Sequence, residues 1–214
     1  MNMITVKEAI AALVAKGIKD AANANVRYAE FYDRQPYAQA GQGIISFFGR
    51  NPSTYSEDAS NLRTGKSEIS SSQAFIVCGV SCHFEPGADQ TLVGATAAQS
   101  LAALDDFLLV ERSGRLIFKT GSREDYIENG PLFRFPPMVQ PVIGGALSDT
   151  TTAGGSQRTA LQNVLLTGDM YPVSPKIIAP GDAFELTAKW AAAVPVSAAG
   201  IIEGRLYGYL ADLR

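Results

Sequence analysis

The stretch FELTAKW, residues 184–190, shows the clearest two-residue alternation in the chain. Successive side chains of a β-strand point to opposite faces of a sheet, so this stretch places its apolar side chains on one face and its polar side chains on the other. We therefore predict a half-buried strand that packs Phe184, Leu186 and Trp190 between two sheets.

A second alternating stretch follows at Ile201–Leu210. One of its faces is apolar, while the opposite face carries Tyr207 and Tyr209 beside Arg205. Because both faces hold side chains that favour a neighbour, the outer face is predicted to be covered in the native assembly.

Other apolar runs of strand length are separated by turn residues such as Gly, Pro, Asn and Ser. An alanine-rich segment between them, Thr96–Asp105, predicts a short inserted helix. Because the strands do not alternate with long helices, the pattern predicts an all-β fold, an antiparallel sandwich or jelly roll of about eight strands over residues 44–214. The predicted strands are Ile44–Phe48, Ala74–Phe84, Phe107–Val110, Leu116–Lys119, Tyr126–Ile127 leading into Leu132–Phe135, Leu161–Leu166, Ala183–Trp190 and Ile201–Leu210.

The N-terminal segment Thr5–Ala22 has helical periodicity, and Thr5 and Glu8 have the spacing of a capping box. Its apolar stripe predicts burial against the body of the same chain, a neighbouring subunit or a membrane surface. We interpret residues 1–43 as this helix followed by an extended arm, Arg27–Gly43, laid across a surface. The candidate assembly interface combines the stripe, the aromatic side chains of the arm and the outer face of the last strand: Val6, Ile10, Leu13, Val14, Ile18, Tyr28, Phe31, Tyr32, Tyr37, Tyr207 and Tyr209.

Composition narrows the classes of function. The 214 residues include 18 basic and 21 acidic side chains, a net charge of −3, so we expect no direct binding of nucleic acid. No run approaches the roughly 18 apolar residues of a membrane span, and charged residues near the N-terminus argue against a signal peptide. Synthesis in a cytoplasm is therefore expected.

The side chains that carry catalytic chemistry are few. His83 is the sole histidine, and the strand period places it on the face of Ser81 and Glu85, where we expect it to be exposed or at a subunit contact. Cys78 and Cys82 would lie about 13 Å apart on a strand, too far for a disulfide, so we predict free buried thiols. We expect no catalytic, cofactor-binding or metal-ligating residue, no cofactor and no enzymatic activity.

Several phrases stand in order along the chain: Asp58–Leu62 leading to Gln73–Val80, then Gly114–Ser122, Tyr126–Ile127, Pro131–Pro136, Pro180–Leu186 and Gly204–Leu210. In their order and spacing they resemble the jelly-roll capsid proteins of tailless bacteriophages in the broad tectivirus and adenovirus-like lineage. The resemblance spans about residues 45–214, although double jelly-roll members are longer and this chain has the size of a single roll. It implies self-assembly into trimers, pentamers or hexamer-like capsomers, with an internal membrane sometimes contacted by N-terminal segments, and it carries over no catalytic residue.

Three functions follow as hypotheses. The first is a structural virion protein, a capsid (shell) subunit made in a host cytoplasm, whose partners are copies of itself, other capsid proteins and an internal membrane reached by the N-terminal helix. The alternative is a carbohydrate- or receptor-binding jelly-roll module, such as a spike or lectin-like protein, that presents Trp190 or a tyrosine cluster to a sugar. The third is an enzyme of cupin or glycosidase type, which needs a bound metal or paired carboxylates.

Overall fold

Eight of the ten described strands in the computed structural model form two four-stranded antiparallel sheets that pack face to face. Residues 4–49, 59–62, 68–87, 97–120, 126–136, 147–148, 159–160 and 170–213 are described. The strands are β1 (Asn25–Tyr37), β2 (Ile44–Phe47), β3 (Gln73–Glu85), β4 (Gly114–Thr120), β5 (Tyr126–Pro131), β6 (Leu147–Ser148), β7 (Thr159–Ala160), β8 (Tyr171–Ile178), β9 (Phe184–Trp190) and β10 (Gly200–Asp212). The α-helices are α1 (Val6–Ala15) and α2 (Ala97–Ser113), and single 3₁₀ turns occupy Ala21–Asn23 and Leu132–Arg134.

The order of the strands is that of a jelly roll. The first sheet is β1-β10-β3-β8 and the second is β2-β9-β4-β5, while β6 and β7 form a separate two-residue ladder. Among the eight sandwich strands the first therefore pairs with the last, the second with the seventh, the third with the sixth and the fourth with the fifth. This nested antiparallel pairing confirms the fold class predicted from the sequence.

The core lies between the two sheets, and the predicted inward side chains of β9 are part of it. Trp190 is 3% exposed. Its ring packs edge-on against Tyr37 at 5.5 Å between centroids, and its Nε1 donates a hydrogen bond to the carbonyl oxygen of Val110 at 3.1 Å. A buried indole that has both an aromatic neighbour and a partner for its N–H is a stable packing element.

The predicted extended arm is wrong, because most of it is β1. This strand pairs with β10 along its whole length, from Asn25 opposite Asp212 to Tyr37 opposite Gly200. A strand at a sheet edge tolerates polar residues on its outer face and a proline such as Pro36, which hides the two-residue period. The roll therefore begins before residue 43.

The inserted helix is longer than predicted, and the strand expected at Phe107–Val110 lies within its C-terminal half. Ala103, Asp106 and Val110 are buried, at the three- and four-residue spacing of a helix. A run of four apolar residues fits both the two-residue period of a strand and the 3.6-residue period of a helix. Only the contact with the sandwich decides between these two structures.

One strand was missed by the sequence analysis, and one predicted strand cannot be compared with the structure. β8 was not predicted, because Pro172 and Pro175 mask its pattern, and it lies at an edge of the first sheet where proline is tolerated. The predicted strand Leu161–Leu166 lies outside the described residues.

The N-terminal helix is shorter than predicted and packs on its own chain. The capping box of Thr5 and Glu8 is confirmed, and the helix ends before Gly17, which has a φ of 77°. Ala9 and Leu13 are fully buried against the outer face of the first sheet, on Ile76 of β3 and Tyr209 of β10 among others.

Candidate functional site

The outer face of the first sheet has an apolar half and a charged half. The apolar half is the surface under α1, where the Tyr209 hydroxyl donates a hydrogen bond to the carbonyl oxygen of Ile4 at 2.5 Å. The charged half lies toward the other end of the same strands. We call its five side chains, Glu30 and Arg34 of β1, Glu85 of β3, and Glu203 and Arg205 of β10, the charge ladder.

The charge ladder alternates in sign across the three strands. Arg34 contacts Glu85, with Nη2 2.6 Å from the carboxylate, and its Nε lies 3.5 Å from Glu203. Arg205 donates from Nε to the other oxygen of Glu203, and its Nη1 lies 3.4 Å from Glu30. Glu203 therefore sits between two guanidinium groups and has the least exposed side chain of the five, at 9%. Each arginine bridges two carboxylates, an arrangement suited to its planar fork of donors.

The segment 59–62 borders the ladder along the free edge of β1. The side-chain amide of Asn61 accepts from the backbone N–H of Tyr32 at 2.8 Å and donates to the carbonyl oxygen of Glu30 at 2.7 Å. The backbone N–H of Arg34 donates to the carbonyl oxygen of Ala59 at 2.6 Å. The result is an open depression of about 580 Å³ lined by Glu30, Tyr32, Arg34, Asn61, Glu203 and Arg205.

His83 of β3 pairs with Glu203 of β10 in the first sheet. The prediction was that His83 is exposed or at a subunit contact, and its exposure within the chain is wrong. It is 6% exposed, and its ring lies 6.0 Å from the ring of Phe107 of α2. Its Nε2 has no hydrogen-bond partner within the described part of the chain. Burial lowers the pKa of His83 to about 4, an effect that Arg205 and Arg34 reinforce and Glu203 opposes.

Another buried titratable group of this region is Glu111 of α2. Its Oε1 accepts the backbone N–H of Phe84 at 2.9 Å, at a part of β3 that β8 does not reach. Burial raises the pKa of Glu111 to about 8, although that hydrogen bond acts in the opposite direction. The nearby thiol of Cys82 also has a raised pKa, first through burial and then through the charge of Glu111. The Glu111 carboxyl thus satisfies a backbone N–H of β3 and is mostly neutral at neutral pH.

The residues predicted for an assembly interface do not form one exposed surface in the structure. Leu13, Phe31, Tyr37, Tyr207 and Tyr209 are buried within the chain, so their assignment to an interface is wrong. Tyr207 is covered on the outer face, where its hydroxyl lies 3.1 Å from the hydroxyl of Ser81, itself buried. Ile10, Ile18 and Tyr32 are half-buried, and the side chains that remain exposed are Val6, Val14 and Tyr28.

Sequence reasoning missed the charge ladder. Alternation correctly placed Arg205 on the outer face of the last strand, and the period of β3 correctly placed Ser81, His83 and Glu85 on one face. The partners are far apart in sequence: the residue numbers of Arg34 and Glu85 differ by 51, and those of Arg205 and Glu30 differ by 175. Only the strand order brings them together. Cys78 and Cys82 are free and buried, as predicted.

Comparison of the chain with known proteins found no matching family model, no matching curated protein and no matching solved structure. Within the described residues, no three or more His, Cys, Asp and Glu side chains are grouped so that they could hold a metal ion. None of the helices in that part of the chain has the length and apolar character needed to cross a bilayer.

Proposed function

We propose that the chain is a structural virion protein, a capsid (shell) subunit that assembles with copies of itself. The observation that carries the proposal is the nested strand order, β1-β10-β3-β8 against β2-β9-β4-β5. Jelly rolls of this kind are recurrent building blocks of viral shells, although the same fold also serves lectins and cupins. The resemblance of residues 45–214 to single jelly-roll capsid proteins favours the shell.

The packing of α1 changes which surfaces this proposal assigns to assembly. The face of α1 that bears Leu13 is used within the chain, so α1 offers a neighbour or a membrane only its opposite side, with Val6 and Val14. The partner we favour is another copy of the chain. A virion location follows from the same proposal.

The position of Trp190 does not favour the alternative of a sugar-binding module built around this residue. A tryptophan that stacks on a sugar must present a face to solvent, whereas the Trp190 indole is buried and its N–H is bonded to Val110.

Electron microscopy and light scattering of the purified full-length protein test the proposal. We expect discrete capsomers or closed particles as protein concentration rises, because a shell subunit buries surface against its own copies. A monodisperse monomer at every concentration and salt condition would contradict it.

A further inference from the structure

The open depression beside β1 lies on a partly exposed region of the outer face of the first sheet. α1 covers the apolar half of the sheet, and Phe107 of α2 lies over His83. The side chains of Arg34, Arg205 and Glu30 each keep about a third of their surface exposed. The volume of about 580 Å³ falls within the ~300–1,000 Å³ of small-molecule sites.

The walls of the depression are held in place before any ligand arrives. The side-chain amide of Asn61 is hydrogen-bonded to two backbone groups of β1, and each arginine contacts two carboxylates of the first sheet. Groups already ordered by their neighbours lose little conformational entropy on binding.

The charges of the lining cancel. Glu30 and Glu203 supply two negative charges, and Arg34 and Arg205 supply two positive charges. Glu85, which holds Arg34 from outside the lining, adds one further negative charge. A free anion therefore meets no net attraction, and a cation must approach two guanidinium groups.

The guanidinium and carboxylate groups of the lining nevertheless keep donors and acceptors that can hydrogen-bond to a ligand. A guanidinium group has five N–H donors and a carboxylate has about four lone-pair sites, and the ion pairs of the ladder use only part of each. A charged or zwitterionic ligand must compete with those ion pairs and pay for its own desolvation. A hydroxyl group both donates and accepts, carries no charge and costs less to desolvate. Neighbouring hydroxyls on one ring fit a wall on which donors and acceptors alternate.

We propose that this depression binds an uncharged polyhydroxylated ligand, a carbohydrate, through Glu30, Arg34, Glu203 and Arg205. The site lies on the outer face of the first sheet and uses none of the side chains that hold the core. It is independent of the proposed shell function, because it is complete within one chain.

The test is ligand-observed NMR and calorimetry on the full chain before assembly, with a panel of neutral mono- and disaccharides. Inorganic phosphate, glycine and Ca²⁺ serve as anionic, zwitterionic and cationic probes. We expect at least one neutral saccharide to bind with a Kd of about 1 mM or tighter, and the charged probes to bind more weakly.

Substitutions then locate the site. Arg205→Lys keeps the charge but removes the planar fork, and we expect it to weaken saccharide binding about tenfold. Arg34→Lys tests the same point at the other end of the depression, should the first variant fold poorly. Lys119→Met, which breaks the exposed pair with Glu185 on the second sheet, is the matched control and should leave affinity unchanged.

Three results would overturn the proposal: no saccharide of the panel binds the wild type, a charged probe binds more tightly, or both Lys variants bind as the wild type does. Because binding is measured on single subunits, failure to form particles leaves this result unaffected. Particle formation without saccharide binding would reject the site alone.

Discussion

At the scale of single residues, Trp190 is the side chain whose loss should cost the fold most. Trp190→Ala removes a buried indole, its contact with Tyr37 and its hydrogen bond to Val110. We expect a loss of about 3–5 kcal/mol in the free energy of unfolding, measured by urea denaturation. Trp190→Phe keeps an aromatic ring and loses the hydrogen bond, so it should cost less. Wild-type stability in the Ala variant would contradict the packing of this residue.

Through Glu111 and His83, the free energy of unfolding should depend on pH in opposite directions. The pKa of Glu111 is raised from 4.5 to about 8, so its neutral form is the stable one in the fold. The contribution of Glu111 to the free energy of unfolding is therefore complete below about pH 4.5 and is lost as pH rises to about 8. The pKa of His83 is lowered from 6.5 to about 4, so its contribution is full above about pH 6.5 and lost as pH falls to about 4.

Glu111→Gln isolates the alkaline part of this dependence. The amide oxygen can still accept the N–H of Phe84 but cannot ionise, so the decrease in stability between about pH 6.5 and pH 8 should become smaller than in the wild type. Urea unfolding over that range measures the difference, and Glu185→Gln, at an exposed pair on β9, is the control. Equal slopes for the wild type and Glu111→Gln would show that Glu111 ionises as freely in the fold as in the unfolded chain.

At the scale of elements, the packing of α1 predicts a contrast between two adjacent residues. Leu13 is fully buried against the sheet, whereas Val14 is 49% exposed. Leu13→Ala should cost about 2–5 kcal/mol, and Val14→Ala should stay within about 0.5 kcal/mol of wild type. Urea denaturation at a concentration low enough to keep the chain monomeric measures both. Equal, small effects would mean that α1 does not stabilise its own chain and would return it to the role of a free assembly element.

The same packing changes the expectation for deletion of the N-terminal segment. A helix that served only a neighbour would leave a stable domain when removed. Here its removal exposes Ile76 and Tyr209, which α1 covers, so we expect a less stable chain with an exposed apolar surface. Thermal unfolding of a chain that lacks residues 1–24 measures this, and an unchanged midpoint would contradict it.

Strands whose apolar residues alternate clearly, because one face lies in the core, were predictable from the sequence. β9 and β10 each have one face in the core, so alternation identified their residues. β1 and β8 lie at the edges of the first sheet, where prolines and charges interrupt the pattern. The end of α2 was read as a strand, because four apolar residues do not distinguish two periods. The charge ladder was not predictable, since no local pattern specifies which strands lie side by side.

At the scale of the whole molecule, net charge predicts how assembly should respond to salt. Copies that each carry a charge of −3 repel one another weakly, and this repulsion is screened as ionic strength rises. If copies associate through apolar surface, we expect the critical protein concentration for particle formation to decrease when NaCl is raised from about 0.05 M to about 1 M. The reason is that the Debye length shortens to about 3 Å over this range. Light scattering at pH 7 measures the critical concentration.

The opposite response would identify a different kind of interface. Particles that dissolve as salt is added are held by paired charges, and the partly exposed charge ladder is the cluster of described residues best placed to supply them. Arg205→Met, which removes one positive charge from the charge ladder, would then shift the salt dependence more than Lys119→Met, which removes one positive charge from the second sheet. Because the first sheet carries both the ladder and α1, such a result would assign assembly to that sheet and leave its depression covered in the particle. Saccharide binding to single subunits, but not to particles, would follow from the same arrangement.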